Sequence, residues 1–210
     1  MRTPLIIVLL SVSGVLFGQR FPSELWHDGY VVLIEGDTLK GQVKYDLETD
    51  LIQHKFGPQE TINTITARSL SFFEIFDGTA NRYRQFYVLP YNVRIDYRAP
   101  VIFELIYEGE HLTLLSREKV EYQVTSYPYA VSGTYTRLTL VYTYYFLSPN
   151  GGIVMHTGKK NDLLWNMKRK SPQMKKFLKE NKIKVDRRSD LIKVVSYYNS
   201  LFENSSSRVN

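Results

Sequence analysis

Between residues 29 and 156 the local signals favour strands, and in several runs apolar side chains recur at every second position, the period of a strand with one covered face. Tyr30, Val32 and Ile34 interleave with Val31 and Leu33, and Leu39, Gly41, Val43 and Tyr45 with Lys40, Gln42 and Lys44. Gly36 and Asp37 stand between the two runs, which predicts a hairpin closed by a type II′ turn with glycine first. The pattern returns at Val101, Phe103, Leu105 and Tyr107, ends at Glu108, Gly109 and Glu110, and resumes at Leu112 and Leu114. A third hairpin is predicted where Leu138, Leu140, Tyr142, Tyr144 and Phe146 line one side and 149–152 turns the chain into 153–156. The stretches 70–76 and 83–88 read as further strands. Hairpins in succession require antiparallel pairing, because parallel strands need long crossovers.

After Gly158 the period changes. Asn161 is placed to cap a short helix holding Leu163, Leu164 and Met167. Ser171 and Pro172 mark a second start, with Met174, Phe177 and Leu178 on one side. Ser189 is placed to cap a third, in which Leu191, Val194, Val195, Tyr198, Leu201 and Phe202 recur at helical spacing. The expected fold is therefore α+β: mainly antiparallel β, a sheet or barrel-like set of sequential hairpins over 19–157, followed by C-terminal α-helices over 158–204 and a polar, disordered tail at 205–210.

The first residues follow a different grammar. Arg2 precedes an apolar run over 5–17, and Gly18 supplies a small residue before Gln19. That layout predicts a signal peptide over 1–18 and hence export to the periplasm, the outer-membrane face or the medium. A retained anchor is the rival reading, although a helical span needs about 20 apolar residues. No later apolar run is long enough to span a bilayer as a helix. The chain has no cysteine, which closes the lipoprotein route and rules out disulfides. A mature part of about 190 residues buries roughly 70% of its surface without them.

Charge is segregated. Residues 159–193 carry thirteen Lys and Arg against four acids, a net +9, whereas the whole chain carries +6. Lys168, Arg169, Lys170, Lys175 and Lys176 are the densest part. Such a cluster attracts phosphate-rich or otherwise anionic partners, and for an exported chain these are an anionic envelope surface or glycan rather than nucleic acid. Lysines on the outer face of amphipathic helices also simply maintain solubility. Aromatic content is high, with 16 Tyr and 11 Phe. Tyr127, Tyr129 and Tyr135 fall in an expected loop, where exposed rings can stack on sugars or grip another envelope protein.

Catalytic and metal-binding signatures are missing. His27, His54, His111 and His156 show no i, i+4 pair and there is no thiolate. His111 alone has nearby carboxylates, Glu108 and Glu110, in the expected turn. No serine sits in a nucleophile elbow and no glycine-rich loop leads from strand to helix. Glu104, Asp37 and Asp96 could converge only through tertiary structure. No catalytic residue, metal or cofactor is assigned.

The run over 29–45, with its Gly29-Tyr30 start and Gly36-Asp37-Thr38-x-Lys40-Gly41 centre, resembles the opening of a group of uncharacterised exported proteins of Bacteroidota. The phenylalanine-rich stretch 70–76, the strand ending at Glu108-Gly109 and the Tyr198-Asn199 pair are similar too. That resemblance implies an envelope or secreted location and no known activity. The sequence thus predicts a non-catalytic binding or structural module, the alternative being a periplasmic hydrolase assembled from scattered residues. An outer-membrane barrel fits poorly, since such barrels end on a strand.

Overall fold

The computed structural model of the chain describes residues 20–57, 61–126 and 134–206. After a short 3-10 turn at Pro22–Glu24 come β1 (His27–Leu33), β2 (Thr38–Asp46), β3 (Leu51–Phe56), β4 (Thr61–Thr66) and β5 (Leu70–Asp77). They are followed by β6 (Arg82–Arg94), β7 (Tyr97–Tyr107), β8 (Thr113–Ser126), β9 (Thr134–Leu147) and β10 (Ile153–Met155). Three helices close the chain, α1 (Lys160–Asn166), α2 (Ser171–Glu180) and α3 (Arg188–Ser206).

The strands form one antiparallel sheet in the order β10-β9-β8-β7-β6-β5-β1-β2-β3-β4, not closed into a barrel. Register places Val31, Phe73, Phe86, Glu104, Ser116 and Tyr144 side by side across six strands, so they share one face. The sheet curls until Tyr45 on β2 meets Glu118 on β8 across that face. Gly29 and Gly41, paired across β1 and β2, are required for the tight curl: a Cβ on Gly29 would lie 2.1 Å from the Glu74 carbonyl oxygen, and one on Gly41 2.4 Å from that of Lys55. Register breaks at Val32/Leu33, Asn92/Arg94 and Leu105/Tyr107 add local twist.

Two apolar cores share the concave face. β1 to β4 fold over the middle of the sheet, burying Val31, Val43, Tyr45, Ile52, Ile65, Phe73, Phe86 and Ile102 together. The helices cover the remainder, packing Leu163, Met167, Met174, Leu178, Leu191, Val194, Val195 and Tyr198 against Leu112, Leu114, Tyr144 and Phe146. Each such fully buried side chain contributes about 1.5–3 kcal/mol. On the convex face Val101, Phe103, Leu115 and Tyr145 form a smaller cluster, with Tyr91 and Tyr145 edge-on to Phe103 at 5.6 and 5.0 Å.

β7 and β8 pair only where Glu104, Leu105 and Tyr107 meet Ser116, Leu115 and Leu114. Beyond that point β7 stays with β6, and β8 with β9, so two ribbons splay from the same end of the sheet. The β2–β3 turn plugs the split. Asp50 Oδ1 accepts the Ile102 amide at 2.8 Å, and Arg117 Nη1 donates to the Ile102 carbonyl at 2.8 Å and to Asp50 at 2.7 Å. Side chains here replace a missing strand partner.

Local expectations needed correction at the turns and caps. Gly36 closes the first hairpin from the fourth position, not the first. Its amide bonds the Leu33 carbonyl at 3.0 Å and its φ is +98°, the pattern of a longer loop with a glycine bulge. Asn161 and Ser171 lie inside their helices, preceded by Lys159 and Lys170, neither of which caps with its side chain. Ser189 likewise lies within α3; the Arg187 carbonyl receives the first amides, from Asp190 and Leu191. The β3–β4 hairpin adds two strands to those the alternation marks, since Thr and Asn on the exposed β4 weaken that signal.

Candidate functional site

The most concentrated chemistry is an ionic seam on the concave face, where the two cores meet. β6 contributes Arg82 and Arg84, the end of β5 contributes Asp77, β7 Glu104, β8 Ser116 and Glu118, β2 Tyr45, and the start of α3 Arg188. The Arg84 side chain is 1% exposed, as are those of Glu104 and Glu118. Its fork is filled: Nε and Nη2 donate to Glu104 at 3.1 and 2.8 Å, Nη2 also to Glu118 at 2.8 Å, and Nη1 to Asp77 at 3.2 Å and the Tyr45 hydroxyl at 2.7 Å. Tyr45 in turn donates to Glu118 at 2.5 Å. Arg82 and Arg188 reach Glu104 from the rim at 3.0 and 3.2 Å, and Ser116 donates to it at 3.2 Å.

Three carboxylates thus meet three guanidiniums, the condition for holding charge in a medium where an unpaired ion is prohibitive. Burial pushes the Glu104 carboxyl up, but Arg84, with Arg188 and Arg82 behind it, outweighs burial and holds it below the ordinary value. Burial likewise opposes ionisation of Asp77, yet the Thr79 hydroxyl, the Ala80 and Thr79 amides and Arg84 hold it low. Burial drives the Tyr45 phenol well up. The Arg84 guanidinium is desolvated but is held firmly charged by Tyr45, Glu104 and Glu118.

General acid–base work needs a carboxyl with an open lone pair or an exchangeable proton near a substrate space. Both Glu104 oxygens and both Glu118 oxygens are occupied. Five surface hollows among the described residues are lined by residues other than Arg84, Glu104 and Glu118. One of them, about 310 Å³ on the outer side of β2 and β3, is lined by Lys44, Asp46, Thr49, Gln53 and Thr64; there Asp46 accepts the Thr49 hydroxyl at 2.7 Å and the Glu48 amide at 2.8 Å, bonds that shape the exposed β2–β3 turn. The seam binds parts of the fold to one another. Asp37, in the first turn, and Asp96, at the tip of the β6–β7 ribbon, do not join Glu104.

The histidines are dispersed. His27 Nε2 lies 2.8 Å from the Pro22 carbonyl oxygen and His156 Nε2 2.8 Å from that of Val185. His111 packs its ring on Phe202 with centroids 4.0 Å apart, rather than joining Glu108 and Glu110 around a metal. His54 is buried with its ring stacked on Phe56, and neither ring nitrogen has a hydrogen-bond partner among the described residues. Among the described residues no group of His, Asp or Glu is arranged to hold a metal ion.

Among the described residues, two exposed surfaces bear on the basic and aromatic clusters. On the helical layer Lys168, Arg169, Lys175 and Lys176 all stand exposed while Met174 and Leu178 point inward. Lys168 lies over the Trp165 ring at 5.1 Å, and Arg169 and Lys170 over Phe202 at 4.6 and 4.7 Å. Trp165 itself is 72% exposed, a feature that helical periodicity alone did not flag. At the ribbon end Ile95 is 97% and Tyr122 76% exposed, with Val93, Tyr97 and Val124 open as well. Tyr127 and Tyr129 lie outside the described residues. Tyr135 lies in β9, with its side chain outside them.

Asn199, the second residue of the Tyr-Asn pair, holds α3 to the turn between β7 and β8. From α3 its Oδ1 accepts the His111 and Leu112 amides at 2.8 and 3.1 Å, and its Nδ2 donates to the Leu112 and Val195 carbonyls at 2.9 and 2.8 Å. Gly109 makes room for it, since a Cβ there would sit 2.4 Å from Nδ2. The Glu-Gly turn and the Tyr-Asn pair are two halves of one joint.

No helix among the described residues is long and apolar enough to cross a membrane. Comparison with known protein families, curated proteins and solved structures finds no match.

Proposed function

We propose that the chain is an exported, non-catalytic binding module of a bacterial cell envelope that docks its helical layer on an anionic, phosphate-bearing surface. The supporting observation is Trp165, 72% exposed and flanked by Lys168, on a helical layer whose other outward side chains include Lys175 and Lys176. An indole open to solvent beside clustered cations suits the boundary between headgroups and acyl chains, where the ring is amphipathic and the cations meet phosphate. The hydrolase reading is the weaker one, because the gathered acids Asp77, Glu104 and Glu118 are neutralised by arginines inside the fold.

Co-sedimentation with vesicles tests the reading. Binding is expected to phosphatidylglycerol-containing vesicles and not to pure phosphatidylcholine, to weaken as salt rises, and to fall with Lys175→Glu plus Lys176→Glu and with Trp165→Ala. Equal binding to both vesicle types, or indifference to the paired charge reversal, would defeat it. Exposed aromatics on the ribbons, Tyr122 above all, offer a separate contact for a glycan or an envelope protein.

A further inference from the structure

The two edges of the sheet are built differently. β10, at one end, has only three residues, a length that offers little to a passing strand. β4, at the other, has six: Thr61, Ile62, Asn63, Thr64, Ile65 and Thr66. Five of these are β-branched, none is charged, and none is proline or glycine. Thr61, Ile62, Asn63 and Thr64 are exposed, Ile62 by 54%. Among the described residues this strand carries no lysine, no proline and no bulge, the usual protections of an edge.

The direction of its free polar groups follows from register. The Ala67 amide donates to the Asp50 carbonyl at 3.0 Å, one step beyond the Leu51–Thr66 pair. Hydrogen-bonded and non-bonded pairs alternate along an antiparallel ladder. Thr61, Asn63 and Ile65 therefore turn their amides and carbonyls toward β3, and Ile62 and Thr64 turn theirs outward.

We infer that β4 pairs with β4 of a second copy of this chain, antiparallel about a two-fold axis through Asn63. In that register Ile62 of one copy faces Thr64 of the other and exchanges both main-chain hydrogen bonds with it, and the axis repeats the pair. Thr61 then faces Ile65, and Asn63 faces Asn63 at the non-bonded position on the axis. Uncharged side chains meet throughout, and Ile62 gains cover. Slipping by one residue would set outward groups against inward ones. Slipping by two toward Thr66 would call on a carbonyl already taken by the Ser69 amide at 3.0 Å. The edge is thus its own complement in the register that uses every outward group of Ile62 and Thr64, the isologous arrangement that closes a dimer. A single short strand pair is a small interface, so association depends on concentration.

Sedimentation velocity of the full chain across a dilution series is expected to show a mass rising from one chain of 24.6 kDa toward two. Thr64→Pro is the specific break. Its amide faces away from β3, so the substitution costs the monomer no ladder bond, and it should weaken association at least tenfold with the circular dichroism unchanged. Should that variant fail to fold, Ile62→Lys reads the same contact. Because the chain contains no cysteine, Asn63→Cys places one thiol per copy at the axis and should oxidise to a linked dimer; Ser189→Cys, exposed on α3, should not. A chain that stays monomeric at every concentration, a dimer indifferent to Thr64→Pro and Ile62→Lys, or an Asn63→Cys variant that links no faster than Ser189→Cys would overturn the inference.

Discussion

The arginines of the seam and the lysines of the helical layer carry the same charge and stand in opposite circumstances. Arg84 is enclosed, forked between Glu104 and Glu118, with Asp77 and Tyr45 on its remaining donor. Lys175 is exposed, and Lys176, exposed as well, lies 3.9 Å from Glu180 one turn away. A guanidinium holds several oxygens in one plane and keeps its charge when desolvated, whereas an ammonium is compact and best hydrated. The seam therefore uses its charge to define the fold, and the helical layer keeps its charge available to something outside. Arg188 belongs to the basic segment by sequence and to the seam by contact, through Glu104 at 3.2 Å. Basic runs in a sequence mix the two kinds.

The sharpest way to break the comparison is at Arg84. Arg84→Met leaves three buried carboxylates short of a partner and is expected to cost about 3–5 kcal/mol, read as a lower urea midpoint. The effect has a pH signature. Glu104 and Asp77 have folded values below their ordinary ones, so their contribution is present above the unfolded carboxylate range and is lost as pH falls through the lowered folded values. In Arg84→Met the unpaired acids prefer to be protonated, so the stability gap to the parent chain should narrow on acidification. A gap that stays constant from neutral pH down to the point of acid unfolding would show that Arg84 acts by packing alone.

Next in size is Tyr45→Phe, which removes a hydroxyl bonded to both Glu118 and Arg84. Hydrogen bonds to charged groups are worth about 1.5–3 kcal/mol, and a loss of that order is expected in urea unfolding at neutral pH. The sign at high pH is opposite to that of the acids. Burial raises the folded value of Tyr45, so the neutral phenol contributes below its unfolded value and the contribution disappears as pH rises through the folded one. The parent chain should therefore lose more stability than Tyr45→Phe on alkaline titration.

Asn199→Ala probes the joint between α3 and the β7–β8 turn. It strands the His111 and Leu112 amides and is expected to cost about 1–3 kcal/mol. Gly109→Ala should damage the same joint from the other side, because its Cβ would enter the space of the Asn199 side chain. The two changes should be less than additive; full additivity in a double-mutant cycle would mean that the residues do not act together.

Much of this architecture was legible in the chain. Alternation from Tyr30 to Tyr45 and from Leu138 to Phe146 marked real hairpins, β1–β2 and β9–β10, and the spacing of Leu191, Val194, Val195 and Tyr198 marked the buried side of α3. Periodicity reads burial where the sheet is covered, at Val31, Val43, Tyr45, Tyr144 and Phe146, whereas Ile34, Leu138 and Tyr142 keep the alternation and stand exposed. It could not read Arg84, which looks from sequence like a polar position on a strand and is among the most enclosed side chains. Its partners lie on four other strands, so only the curl of the sheet assembles them. Nor could it read the β2–β3 turn filling the gap beside Ile102, where Asp50 and Arg117 substitute for a strand. The basic cluster was visible as composition, but the opposite orientations of Arg188 and Lys176 were not.

The smallest effect on stability is expected where the effect on binding should be large. Lys175→Glu with Lys176→Glu touches no buried contact and should leave the urea midpoint unchanged, as ordinary surface substitutions do. Each basic side chain near an anionic surface is worth about 1 kcal/mol, so reversing two should weaken vesicle binding by roughly tenfold or more. The control lies in the seam: Glu118→Gln should lower stability without weakening binding of the folded fraction. If the lysine pair lowered the midpoint as well, those side chains would be part of the fold rather than available to an anionic partner, and the contrast with Arg84 would fail.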